Sequence, residues 1–173
     1  MEIIYGLGIL MWLLVACKWG DWSKFNQYRS TIYIVIIGDL LYQALTDCDK
    51  LWMMESPTLH LRPIIIGVMV SVIAFPCTVT VFLTHYPEKG FLKTTLYHLM
   101  WISIYSSHEW IVHKLGVFSY AHGWNIGWST LINALVFPFI RLHQKKPNIA
   151  LIVFVVCTLF FFFKFKIPIF KNG

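Results

Sequence analysis

The chain has 173 residues, of which 58% are hydrophobic and 17% aromatic, while only 13% are charged. A soluble domain carries about 25% charged residues, so this chain has too few charges to cover the surface of a soluble globule. The same composition excludes an intrinsically disordered chain, which needs low hydrophobicity and high net charge. Four scattered cysteines exclude a disulfide scaffold. The remaining class is a polytopic membrane protein.

Six apolar segments follow one another along the chain. A bilayer core about 30 Å thick is crossed by about 20 apolar residues in a helix. Apolar runs such as 64–70 and 159–163 lack the alternation of a membrane β-barrel. We therefore predict one all-α domain over 1–173, a polytopic integral membrane helical bundle with about six transmembrane helices. The predicted segments are 2–17, 31–47, 63–84, 93–112, 126–142 and 149–169.

The flanks of these segments refine the prediction. Glu2 precedes the first segment and no basic stretch does, which favours a retained helix over a cleaved signal peptide. The connection 18–30 is aromatic and basic, as an interfacial segment would be. Lys164 and Lys166 interrupt the last segment, so their side chains either extend to the interface or mark its end.

Lys and Arg are unevenly divided between the connections. The connections after the first, third and fifth segments hold eight of them, and the other two hold three. The positive-inside rule then predicts the first group in the cytoplasm and the N-terminus outside. The three C-terminal lysines would then lie outside, contrary to this rule, unless the last segment does not cross the membrane fully. The net charge of +6 follows from topology, and no basic run longer than Lys145-Lys146 indicates a nucleic-acid partner.

Two short patterns recur along the chain. The stretch 29–33 resembles 93–97, 64 residues later, and Phe75-Pro76 resembles Phe137-Pro138, 62 residues later. This spacing predicts a tandem two-helix repeat formed by helices 2–3 and 4–5. The alternative is that apolar helices share such patterns by chance.

Polar side chains lie within three predicted spans. Asp39 and Glu109 are acids inside apolar segments, where charged groups are costly and usually face the bundle interior. At helical spacing, each acid extends into a polar stripe, and a third helix carries a similar row. These stripes predict a polar intramembrane site for binding or proton relay, with hydrogen bonding between helices as the alternative. The predicted site residues are Asp39, Gln43, His98, Tyr105, Glu109, Asn125, Ser129 and Asn133.

A second group of side chains raises the question of a metal. His108, Glu109, His113 and His122 would converge at the outer face if their helix ends and loop lie together. His108 and His113 are five residues apart, however, whereas metalloprotease histidines are four apart on one helix face. We predict no cofactor and keep a metal site at these four residues as the alternative.

Several sequence blocks together resemble a known family. They lie at 19–22, 37–42, 75–79, 109–110, 120–125 and 137–147. With them, nearly the whole chain is similar to a family of small uncharacterised multi-pass membrane proteins of spore-forming Gram-positive bacteria. The resemblance implies a bacterial plasma-membrane protein and implies no activity.

Three functions remain open at this point. The first is binding or passage of a small solute or proton through the polar interior, which with so few spans would require a homo-oligomer. The second is a non-catalytic partner or structural subunit of a membrane assembly. The third is a membrane-embedded enzyme with an outer-face His/Glu site. The expected partners are the lipid bilayer and either a second copy or another membrane protein, without nucleic acid.

Overall fold

The computed structural model describes residues 2–46, 50–54 and 62–167. Of these residues, 81% are helical, so the all-α prediction is confirmed. Each predicted apolar segment coincides largely with one helix. The helices are α1 (Glu2–Trp19), α2 (Phe25–Leu45), α3 (Pro63–Thr84), α4 (Phe91–Lys114), α5 (Ile126–Lys145) and α6 (Pro147–Lys164).

Two to three of the described helices are long and apolar enough to cross a membrane, which indicates a membrane protein. The helices α3 and α6 each meet this test alone. Ile3–Trp19 and Trp22–Leu45 meet it together, and they are bent by 91° at the break between them. The helices α4 and α5 are less apolar because they carry the polar stripes predicted from sequence.

The connection between α1 and α2 is shorter than the predicted 18–30. The helix α2 begins at Phe25 rather than at residue 31, because a 3-10 turn at Trp22–Lys24 leads directly into it. A carboxylate oxygen of Asp21 accepts a hydrogen bond from the Ser23 N–H at 3.2 Å and caps this turn. The early turns of α2 are helical because Tyr28 packs into the core.

A two-stranded antiparallel sheet joins two connections of the bundle. Strand β1 (Trp52–Met54) lies in the α2–α3 connection, and β2 (Phe118–Tyr120) lies in the α4–α5 connection. Trp52 is opposite Tyr120, and Met54 is opposite Phe118. We did not predict this sheet, because strands of three residues give no periodic signal. We call this end of the bundle the sheet end.

The other three connections meet at the opposite end, which we call the turn end. The Asp21 N–H donates to Oγ1 of Thr84 at 3.1 Å, which links the α1–α2 and α3–α4 connections. Arg141 Nη2 donates to Oε2 of Glu88 at 2.7 Å, which links the α3–α4 and α5–α6 connections. The structure therefore groups the connections in the two sets that the count of Lys and Arg distinguished.

The aromatic core lies where α1, α3, α4 and α5 meet. Phe82 is fully buried, and its ring contacts those of Trp101 and Phe137 at 5.8 and 5.4 Å between centroids. Trp12 of α1 stacks on Trp101 at 6.2 Å. Trp101 is buried among these rings and is thus a packing residue. Beside this core, the helices line a cavity.

Candidate functional site

The helices line a partly open cavity of about 1100 Å³, and most of its lining is apolar. Asp39 of α2 and Glu109 of α4 both line it, so the two acids share one space. Of the eight predicted site residues, Asn125 is the one that does not line the cavity. The seven that do are Asp39, Gln43, His98, Tyr105, Glu109, Ser129 and Asn133.

Asp39 begins a chain of polar contacts between α2, α3 and the α2–α3 connection. Its Oδ2 accepts hydrogen bonds from the Ser71 hydroxyl and, at 3.5 Å, from Nε2 of Gln43. Oε1 of Gln43 accepts from Nζ of Lys50 at 2.7 Å. Gln43 and Lys50 are each only 8% exposed. An amide thus connects a carboxylate to an ammonium group, and we call these four residues the Asp39 cluster.

The backbone of α3 makes room for this cluster. A Cβ atom on Gly67 would lie 2.3 Å from Nε2 of Gln43, so the absent side chain admits the amide. The Ser71 hydroxyl also lies 2.7 Å from the Gly67 carbonyl oxygen, one helical turn away. Among the described residues, none hydrogen-bonds Oδ1 of Asp39. This oxygen can therefore accept a hydrogen bond or a proton from a molecule in the cavity.

Glu109 has a different set of partners. Its Oε1 accepts a hydrogen bond from the Tyr120 hydroxyl of β2 at 2.7 Å. Ser129 of α5 lies beside both groups and accepts from Nε1 of Trp124 at 2.8 Å. Burial and the neighbouring Glu109 raise the pKa of Tyr120 well above its usual range, so Tyr120 remains a hydrogen-bond donor. We call Glu109, Tyr120, Trp124 and Ser129 the Glu109 cluster.

Aromatic rings connect the two clusters at the sheet end. The ring of Trp52 stacks on Tyr42 with centroids 3.7 Å apart, and it contacts Trp124 at 4.7 Å. All three rings line the cavity. We call them the aromatic bridge, because it runs from α2 through β1 to the α4–α5 connection. The aromatic bridge thus connects α2, which carries Asp39, with Trp124 of the Glu109 cluster.

Three of the four remaining predicted polar residues have side-chain hydrogen bonds with structural roles. Asn125 caps α5, since its Oδ1 accepts from the Gly127 N–H at 2.9 Å. The Asn133 amide lies 3.5 Å from the Ser106 hydroxyl, which fits hydrogen bonding between α4 and α5. The Tyr105 hydroxyl hydrogen-bonds Thr78. Within the described part of the chain, Nε2 of His98 is buried without a hydrogen-bond partner.

The four residues of the alternative metal site have separate surroundings. His108 lines the cavity, and Nδ1 of His113 lies 2.7 Å from the carbonyl oxygen of Phe118. His122 lies in the α4–α5 connection with a φ of 51°. Across residues 2–46, 50–54 and 62–167, no group of three or more His, Cys, Asp or Glu residues is arranged to hold a metal ion. His108, Glu109, His113 and His122 therefore do not form such a group here.

The cavity also reaches the turn end of the bundle. Tyr86, Arg141, Lys145 and Lys146 line it there, far along the helices from the Asp39 cluster. In the sequence, these basic residues are explained by topology alone. Lys50 is not predicted there as a site residue, because only the folded connection brings it to Gln43. Gly67 and Ser71 gave a faint signal, as two small residues one turn apart in a long apolar helix.

Comparisons of the chain with models of protein families, with curated proteins and with solved structures found no match. The geometry of the cavity and of its polar side chains therefore carries the functional argument.

Proposed function

We propose that this chain is a multi-pass protein of the bacterial plasma membrane, with six crossings, that binds a small solute in its cavity. The observation that carries the proposal is that Asp39 and Glu109, from different helices, line the same cavity. Charged side chains within membrane helices are costly, and they are characteristic of binding sites and ion or proton pathways. The cavity volume of about 1100 Å³ lies slightly above the usual range for ligand sites, roughly 300 to 1,000 Å³.

The contacts of α1 support a separate crossing by each helix. The Tyr5 hydroxyl, near the start of α1, donates to the carbonyl oxygen of Val117 at the sheet end. The Trp19 carbonyl oxygen, at the end of α1, lies 2.9 Å from Nε2 of His85 at the turn end. The helix thus extends from one end of the bundle to the other. Since most Lys and Arg residues lie at the turn end, the positive-inside rule assigns that end to the cytoplasm and the N-terminus to the outside.

The two helix pairs support the tandem repeat. Pro76 lies in the middle of α3, and Pro138 lies in the middle of α5. The connection within each pair, α2–α3 and α4–α5, contributes one strand to the small sheet. Each unit would thus consist of a helix, a strand and a helix with an internal proline, and the strands of the two units pair with each other.

The extent of the cavity favours binding over simple contact between helices. Residues that line it range from Lys50 at the sheet end to Lys146 at the turn end. A solute held at Asp39 could therefore move along the cavity toward the turn end, and a proton bound to the Asp39 carboxyl could move with it. The Asp39 cluster supplies a hydrogen-bond acceptor, Oδ1 of Asp39. A small hydroxylated solute fits this group.

Native mass spectrometry of the detergent-purified protein tests the proposal. We expect an additional discrete mass on the native chain and its loss in Asp39→Asn, which removes the charge with little change in shape. Asp21→Asn is the matched control, since Asp21 lies outside the cavity lining and asparagine also caps helical turns. An unliganded chain in all samples, or equal retention of the mass in Asp39→Asn, would contradict binding at Asp39. Glu109→Gln reports separately on the Glu109 cluster.

A second candidate function is a non-catalytic subunit of a larger membrane assembly. The helix α6 favours this function, because only 6% of its residues are buried within the chain. Large side chains such as Ile152, Val156 and Phe163 are 60 to 73% exposed. In a membrane, such an exposed apolar helix is covered either by lipid or by protein. The protein is either a second copy of this chain or another membrane protein. The same mass spectra distinguish these cases, because an assembly appears as a stoichiometric additional chain that Asp39→Asn retains.

A further inference from the structure

We infer that the turn end of the cavity binds an anionic membrane phospholipid, with its phosphate at Arg141, Lys145 and Lys146 and an acyl chain in the cavity. This site rests on the proposed placement of the bundle in a membrane. It does not depend on a solute at the Asp39 cluster, which lies toward the other end.

The charges at this end are unbalanced. Arg141 Nη2 lies 2.7 Å from Oε2 of Glu88, and Lys145 Nζ lies 3.6 Å from the same oxygen. Lys146 makes no ion pair with any residue in the described ranges. Of the three cations that line the cavity, two thus share one carboxylate, whose side chain is 67% exposed. The excess of positive charge at the cavity wall suits a phosphate group.

Arg141 is held in position before any ligand arrives. Its guanidinium lies 4.5 Å from the centroid of the Tyr86 ring, and its side chain is only 15% exposed. A planar guanidinium fixed in this way can donate two parallel hydrogen bonds to one phosphate. Lys145 and Lys146 are exposed beside it and supply mobile positive charge.

The wall beside these cations is apolar. Pro138 and Leu142 of α5 line the cavity there, and Val153 and Phe154 of α6 continue the apolar lining toward Gly38 of α2. A free phosphate would use the cations and leave this wall bare, whereas a phospholipid uses both. Basic pockets between membrane helices on the cytoplasmic side are a known setting for anionic headgroups. The combination of cations and apolar wall in one cavity therefore selects a phospholipid over a free anion.

Lipid titrations of the full-length protein in detergent test the site. Phosphatidylglycerol is compared with phosphatidylethanolamine of the same acyl chains, and bound lipid is counted by native mass spectrometry. We expect the wild type to bind phosphatidylglycerol at least about tenfold more tightly. The double variant Lys145→Gln/Lys146→Gln should lose about tenfold in this affinity. Lys89→Gln/Lys93→Gln is the matched control, because these two lysines are also exposed at the same end but do not line the cavity.

Three outcomes would overturn the inference. Equal affinity for the two lipids would remove the role of the headgroup charge. Equal losses in the two double variants would indicate attraction by the whole basic surface. Competition by glycerol phosphate, which has no acyl chain, at the same affinity as the lipid would indicate a free-anion site. Asp39→Asn should leave phosphatidylglycerol binding unchanged, so this site and the solute site fail or succeed separately.

Discussion

Tyr42 and Trp52 are joined by ring stacking and by two hydrogen bonds. The angle between their ring planes is 4°, and the ring centroids are 3.7 Å apart. The Tyr42 hydroxyl donates to the Trp52 carbonyl oxygen at 2.9 Å and accepts from the Trp52 N–H at 3.0 Å. One side chain of α2 thus satisfies both backbone polar groups of the first residue in β1. This contact fixes the sheet over the end of the cavity.

The pair yields a prediction that separates the hydroxyl from the ring. Tyr42→Phe keeps the stacking and removes both hydrogen bonds, so we expect a loss of about 1 to 3 kcal/mol in the free energy of unfolding. Tyr42→Leu also removes the stacking and should cost more. Denaturant unfolding in detergent, followed by tryptophan fluorescence, measures both. If Tyr42→Phe unfolds like the wild type, the hydrogen bonds to the β1 backbone do not stabilise the fold.

The close approach of Gly67 to Gln43 gives a second prediction. Gly67→Ala would add a Cβ atom 2.3 Å from Nε2 of Gln43, so the amide must move away from Asp39. We expect a destabilisation of roughly 1 to 3 kcal/mol, as for other overpacked sites. Adding Gln43→Ala removes the clash, so the double variant should be more stable than the sum of the two single effects implies. Strict additivity in unfolding measurements would contradict the contact.

The sequence predicted the helices and the polar stripes for one physical reason. Membrane helices must be apolar toward lipid, so Asp39 and Glu109 stand out against their neighbours, and the helical period extends each into a stripe. Their meeting in one cavity depends on how α5 packs against both α2 and α4, which no local pattern encodes. The burial of Lys50 and the pairing of β1 with β2 depend on connections that carry little periodic signal. Asn125 does not line the cavity, because its side chain caps the start of α5.

Thr31 connects α2 to the end of α5 and supports a third prediction. Its hydroxyl donates to Oε1 of Gln144 at 3.0 Å and lies 2.9 Å from Nδ1 of His143. Thr31 is fully buried. Thr31→Val keeps the shape and leaves these polar groups unpaired, so we expect a loss of about 1 to 3 kcal/mol in unfolding free energy. Thr31→Ser keeps the hydroxyl and should recover most of it. A serine variant as unstable as the valine variant would assign the effect to packing.

The proposed crossings predict which side chains reagents can reach. Lys89 is exposed at the turn end and Lys114 at the sheet end, and α4 lies between them. Each is replaced by cysteine in a background with the native cysteines changed to serine or alanine. We expect a membrane-impermeant thiol reagent to label Lys114→Cys in intact cells and Lys89→Cys only after permeabilisation. Labelling of both from the same side would mean that α4 does not cross, and the reversed pattern would place the N-terminus in the cytoplasm.

Glu88 competes with the proposed phospholipid for the same cations. Its removal should therefore raise the affinity for phosphatidylglycerol, whereas the lysine variants should lower it. Glu88→Gln releases Arg141 and Lys145, so we expect affinity for phosphatidylglycerol to rise by about threefold, in keeping with an exposed ion pair. The titrations described above measure it. An affinity that falls in Glu88→Gln would mean that the carboxylate positions Arg141 for the lipid rather than blocking it.

The pH dependence of phosphatidylglycerol binding in the wild type should follow the protonation of the Glu88 carboxylate. The Arg141 guanidinium, with a smaller effect of Lys145, holds the pKa of Glu88 below its ordinary value of 4.5, and Tyr86 is the other titratable neighbour. A depressed carboxyl pKa means that the ion pair is fully formed above pH 4.5 and is lost as the pH falls through the lowered pKa. Affinity for phosphatidylglycerol should therefore stay constant from neutral pH down to about pH 4.5 and rise below it. Because Glu88→Gln cannot titrate at this position, its affinity should lack that rise, and an identical rise in both proteins would exclude Glu88 as its cause.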